Sequence, residues 1–202
     1  MPGSFLNFVD YHQPKFYHFS EDSLQLVHWA SENISLDLPL KCLDLCAGCG
    51  VIGLELMLKS TNFQMDFCEI QTPFYDDFEK NFKQLFPHGH PGRGIFFKED
   101  FNILSTRLDL FQTYDYIFCN PPYFSPRKGR LSSCPQKRIC RFFSEENWAQ
   151  LFVSFTRLLK PKGKAYFLAR ENDFKDHSSV FFVAQLKGAV ILCFDLNVLK
   201  IN

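Results

Sequence analysis

Two hydrophobic rhythms alternate along this chain. Short apolar runs with little polar interruption, at Lys41–Leu45, Gln64–Ile70, Gly94–Phe97, Tyr114–Cys119, Lys164–Ala169 and Ala189–Leu196, read as strands. Longer stretches with helical signals lie between them. Ser20 is a predicted N-cap, with Glu21 and Asp22 in the first turn of a helix reaching about Glu32. A small-residue turn after Leu45 leads into a helix through Leu54–Leu58. Thr72-Pro73 opens a helix to about Phe86, with proline at its first position. His88–Gly94 is rich in glycine and proline and reads as a loop. Ser144-Glu145-Glu146 starts a helix that ends at Lys160-Pro161-Lys162-Gly163, and a last helix is expected from about Asp173 to Lys187.

Apolar strands alternating with helices imply buried parallel strands covered on both faces. The expected fold is therefore a doubly wound α/β domain, its sheet mostly parallel, over residues 20–202, preceded by an aromatic-rich arm over 1–19. A ligand is expected beyond the carboxyl ends of the strands, at the switch point beside the first strand.

Composition narrows the class without adding a function. The 202 residues fit one domain, and 46% apolar with 22% charged residues is a globular mix. Lys and Arg number 22, as do Asp and Glu, so any electrostatic steering must come from a local patch. No apolar run approaches the ~20 residues of a membrane helix. The start, MPGSFLNFVDYHQPK, lacks signal-peptide features. The eight cysteines are read as reduced thiols of a cytoplasmic protein, and no metal is expected, because Cys46 and Cys49 lie inside a tight turn without a matching pair. The 25 phenylalanines are expected mostly in the core.

Two motifs carry chemistry. In the first, Asp44-Leu45-Cys46-Ala47-Gly48-Cys49-Gly50 turns sharply from strand to helix, and its glycines let a ligand approach the main chain. Glu69 ends the next strand, where a carboxylate can accept both hydroxyls of a ribose, and Asp100 follows the third strand. Together these read as a nucleoside site. In the second, Asn120-Pro121-Pro122-Tyr123 follows a strand directly. Its prolines remove donors and fix the backbone, leaving the Asn120 side-chain carbonyl and the Pro121 carbonyl as acceptors for an exocyclic NH2 group, while Tyr123 can stack on a flat π system.

DLCAGCG, Glu69, Asp100, NPPY and LLKPKGKAYFL together resemble class I S-adenosylmethionine-dependent methyltransferases, whose Rossmann-like fold matches the predicted one. NPPY resembles the branch that methylates adenine N6, cytosine N4 or protein glutamine N5. NPPYF with a basic loop, and YHQPKFYHFSEDSLQL before the first helix, are similar to small bacterial tRNA adenine-N6 methyltransferases acting on a valine tRNA. The resemblance implies S-adenosylmethionine as cofactor, held by Asp44, Ala47, Gly48, Cys49, Gly50, Glu69, Ile70, Asp100, Phe101 and Asn120. It implies Asn120, Pro121 and Tyr123 as the catalytic group. RNA, a tRNA in particular, is the expected partner of a monomeric enzyme. Phe124 and the loop cations Arg127, Lys128, Arg130, Lys137, Arg138 and Arg141, which have no acid among them, are placed on the substrate.

Two departures from the pattern stand out. Cys46 replaces a glycine of the family's turn, and either narrows it or sits at negative φ. About 15 residues follow the last predicted helix, room for little more than one strand at ~3.3 Å per residue, which points to a missing antiparallel seventh strand. A protein glutamine-N5 methyltransferase, and an inactive scaffold that binds cofactor and RNA, are the alternative functions.

Overall fold

The computed structural model describes residues 11–123, 134–140, 142–170, 173–174 and 177–197. Seven strands form one sheet in the order β3-β2-β1-β4-β5-β7-β6. The strands are β1 (Lys41–Leu45), β2 (Gln64–Cys68), β3 (Arg93–Phe97), β4 (Tyr114–Cys119), β5 (Leu159–Ala169), β6 (Val180–Gln185) and β7 (Val190–Phe194). The helices are α1 (Glu21–Asn33), α2 (Val51–Met57), α3 (Pro73–Leu85), α4 (Phe101–Leu104), α5 (Pro135–Ile139) and α6 (Glu145–Leu158). Strands β1 to β5 run parallel, whereas β7 is antiparallel to both β5 and β6.

The C-terminal part departs from the sequence reading in two ways. The helix expected over Asp173–Lys187 is replaced, over its second half, by edge strand β6, and the seventh strand is present. The run Val180-Phe-Phe-Val carries β-branched and aromatic residues with inward Val180, a composition that suits a half-covered edge strand better than a helix. Leu186 N–H donates to the Ala189 carbonyl at 2.9 Å and closes a tight β6–β7 hairpin through Lys187 and Gly188. A hairpin needs no crossover helix, so the short C-terminal stretch suffices for both strands. A third difference lies in the basic segment, read as loop throughout, where Pro135–Ile139 forms the short helix α5 with proline in its first turn.

The phenylalanines fill both faces of the sheet. On one face, α1, α2 and α3 cover a cluster in which the Phe78 centroid lies 4.6 Å from both Phe67 and Phe96. On the other, α4 and α6 bury Phe155, Phe167 and Phe194, with Phe152 stacked on Phe194 at 5.6 Å. Aromatic rings supply large apolar area with few rotatable bonds, which makes a rigid platform for loops at the strand ends.

Candidate active site

The carboxyl ends of β1, β2, β3 and β4 meet in the crevice where the sheet order reverses, because the chain leaves β1 for β2 on one side and β4 lies on the other. The turn after β1 is braced from below. Asp44, fully buried, accepts from Gly53 N–H at 2.8 Å and so ties the strand to the first turn of α2. Burial pushes its carboxyl well above the usual range. Cys46 has φ +60°, so the left-handed conformation of a glycine is kept by a cysteine, contrary to the negative φ considered from sequence. Gly48 and Gly50 follow at φ +54° and +84°. A Cβ on Gly50 would lie 2.5 Å from a Phe78 ring carbon, so this glycine serves the packing of α2 on α3. A Cβ on Gly48 would meet nothing closer than 3.6 Å, so its need is conformational.

Glu69 stands across from this turn. One carboxylate oxygen accepts from Gly48 N–H at 3.0 Å and the other from Gln71 N–H at 2.9 Å. Burial raises its pKa, and the backbone amides partly oppose the rise. Each oxygen keeps a further lone pair for a hydroxyl donor. Asp100 caps α4 by accepting from Asn102 N–H at 2.8 Å.

These parts enclose a cavity of about 270 Å³ lined by Gly48, Glu69, Ile70, Asp100, Phe101 and Asn120, all anticipated from sequence. Cys46, noted from sequence as a member of the turn, lines it too, as do Cys68, Gln71, Phe74, Asn102, Phe143 and Asn147, which were not anticipated. Ala47 and Cys49 line a small hollow of about 40 Å³ that shares Gly48 and Asn120 with the main cavity. Asp44 and Gly50 line none of these spaces and act from behind the turn.

Asn120 follows β4 directly. Its Nδ2 donates to Ser23 Oγ of α1 at 2.8 Å, and Ser23 is fully buried. The bond fixes the amide plane and leaves the carbonyl oxygen opposite as an acceptor. Tyr123 O–H donates to Asp22 at 2.7 Å, and burial with this partner raises its pKa. Ser23 and Asp22 were missed because 97 and 101 residues separate them from their partners; in the sequence Asp22 serves the start of a helix and Ser23 is a small core residue.

A second cavity, of about 710 Å³, opens beside Pro121, Pro122 and Tyr123. Tyr17, Pro122 and Cys140 line both cavities and form the wall between them. Residues 11–19 pack firmly on the domain: Tyr11 donates to Glu55 at 2.9 Å, His12 N–H to Asn81 at 2.7 Å, and Phe16 meets Phe74 edge to face at 5.6 Å. Lys137 and Arg138 sit on α5. Phe124, Arg127, Lys128, Arg130 and Arg141 lie outside the described residues.

This sheet order, with its antiparallel β7 and a glycine-bearing turn after β1, is the fold of class I methyltransferases. A SAM-dependent methyltransferase from Agrobacterium tumefaciens superposes with a TM-score of 0.59 at 16% identity, covering 88% of this chain and 63% of that one. A precorrin-6y C5,15-methyltransferase from Geobacter metallireducens gives 0.57 at 15%, covering 92% and 93%. No family model matches the chain.

By sequence, the chain is similar to the tRNA1(Val) (adenine(37)-N6)-methyltransferase of Flavobacterium psychrophilum, at 27% identity over 148 residues, which is 70% of this chain and 56% of the relative. It is likewise similar to the protein of the same name from Dyadobacter fermentans, at 27% over 127 residues, or 61% and 48%. The chain thus spans about half the length of the curated relatives it matches. Among the described residues no helix is long and apolar enough to cross a membrane.

Proposed function

We propose that this protein is an S-adenosylmethionine-dependent N-methyltransferase acting on adenine N6 in RNA, a tRNA in particular. The observation that carries the reading is the position of Asn120, held by Ser23 on the wall of the Glu69 cavity and one step from the cleft at Pro122 and Tyr123.

The cavity suits the cofactor in its donor set. Glu69 offers two carboxyl oxygens for the ribose hydroxyls. Asp100 and Phe101 would hold the adenine, Ile70 would give it an apolar face, and the Gly48 turn would let main chain approach without a side chain in the way. When bound, S-adenosylmethionine supplies an electrophilic methyl group. The relatives' shared name supports methylation of a tRNA adenine at N6.

The protein's part is orientation. The exocyclic nitrogen of adenine is a poor nucleophile because its lone pair is delocalised into the ring. The Asn120 side-chain carbonyl and the Pro121 carbonyl accept its two hydrogens and favour a pyramidal nitrogen. Tyr123, whose hydroxyl is anchored on Asp22, stacks on the base, which must be unpaired or flipped out. Fixing the amine in this geometry supplies much of the rate. Tyr17, with Pro122 and Cys140, forms the wall between the cofactor cavity and the base cleft.

The test is Asn120→Ala. Turnover is expected to vanish while S-adenosylhomocysteine still binds by calorimetry; surviving turnover would remove Asn120 from the role. Incubation with methyl-labelled cofactor and separate RNA and protein fractions places the label in RNA on this reading, whereas label in protein would favour the glutamine-N5 alternative.

A further inference from the structure

The cleft beside Tyr123 carries a charge pattern that the balanced chain as a whole does not. Lys15 from the arm, Lys137 from α5 and Arg170 just past β5 all line it, and among the described residues Asp22 is the one carboxylate facing them. That carboxylate already accepts from Tyr123 O–H at 2.7 Å and Ser20 O–H at 3.1 Å. No ion pair among the described residues involves Lys15 or Lys137. Three elements far apart in sequence thus bring three cationic side chains to one opening, a local patch that favours an anionic occupant. The cleft's volume of about 710 Å³ is within the ~300–1,000 Å³ of ligand sites.

We propose that Lys15, Lys137 and Arg170 form a phosphodiester-binding clamp that holds the RNA backbone on either side of the target nucleotide. The proposal rests on the RNA reading above and adds Lys15 and Arg170 to the substrate site. Their placement fits the task. Pro122 belongs to the wall toward the cofactor cavity and Tyr123 lines the cleft beside it, so a base seated there leaves its own sugar and phosphates in the cleft, among the three cations. Lys15 and Arg170 come from segments outside the basic stretch 125–141, so the backbone is gripped from more than one side. Phosphate contacts of this kind set register and affinity without reading sequence.

The experiment is fluorescence anisotropy with a short single-stranded RNA over a salt series, comparing wild type, the Lys15→Gln/Arg170→Gln double variant, and Lys80→Gln on α3 as a surface control. Each lost phosphate contact should lower the slope of log affinity against log salt by ~0.7, so the double variant should lose ~1.4. S-adenosylhomocysteine affinity should be unchanged, because neither residue lines the cofactor cavity. A double-variant slope equal to wild type, or a loss matched by Lys80→Gln, overturns the clamp. Adenosine monophosphate that competes at the same concentration as the oligonucleotide would overturn its assignment to a strand. Cofactor binding without any wild-type RNA binding would sink the RNA substrate itself, an outcome separable from failure of the variant alone.

Discussion

Glu69→Gln separates the cofactor site from the fold that carries it. The carboxylate accepts one backbone amide on each oxygen, at 3.0 and 2.9 Å, and is nearly buried. Glutamine keeps one carbonyl and turns an NH2 group toward the other amide, so one backbone donor loses its acceptor, at about 1–3 kcal/mol. Neutralisation also removes the burial penalty that raises the Glu69 pKa, and the two effects oppose each other in stability. For the ligand nothing opposes the loss. Glutamine still offers its carbonyl to one ribose hydroxyl, but the other hydroxyl loses a charge-assisted bond of about 1.5–3 kcal/mol, or roughly 10–10²-fold in affinity. Calorimetry with S-adenosylhomocysteine and thermal melts of the same samples read the two quantities. Affinity within threefold of wild type would refute the assignment of Glu69 to the ribose.

The same residue makes a pH prediction. Its pKa in the unliganded fold is raised above the usual 4.5. The stability it contributes is therefore fully present below the ordinary glutamate range and is lost as pH rises through the raised value. Cofactor affinity should move oppositely, rising with pH through that window as the carboxylate ionises, and Glu69→Gln should flatten this component. A profile shared by wild type and variant would contradict the reasoning.

Two further substitutions test the scaffold of the site. Gly50→Ala forces a Cβ to within 2.5 Å of Phe78 at φ +84°, and should destabilise by about 2–4 kcal/mol in a chemical melt. Ser23→Ala removes the acceptor that fixes Asn120 and should lower kcat by ~10–100-fold, about 1.4 kcal/mol per tenfold, with KM for the cofactor unchanged. An altered cofactor KM with normal kcat would show that Ser23 acts only in packing.

Much of this site is legible in the sequence because its parts are local. A strand end, a glycine turn and one acid at the next strand end place Gly48, Glu69 and Asp100 by topology alone. The same holds for Asn120, since NPPY follows β4 without a gap. What escaped depends on contacts across the fold. Nothing near Ser23 or Asp22 reveals that α1 will pack its first turn against Asn120 and Tyr123. The β6 error has another origin: Val180–Gln185 is a short apolar run, ambiguous in period, and only pairing with β7 decides it. Cys46 shows a third limit, since its left-handed φ is imposed by the turn against the residue's own preference.

The central claim is methyl transfer to adenine N6 in RNA, and nucleoside mass spectrometry tests it most directly. Purified protein, S-adenosylmethionine and unmodified tRNA are incubated, and the RNA is digested to nucleosides. The account predicts N6-methyladenosine with wild type and none with Asn120→Ala. Unmethylated adenosine throughout, or methyl on another base or on protein, would contradict it.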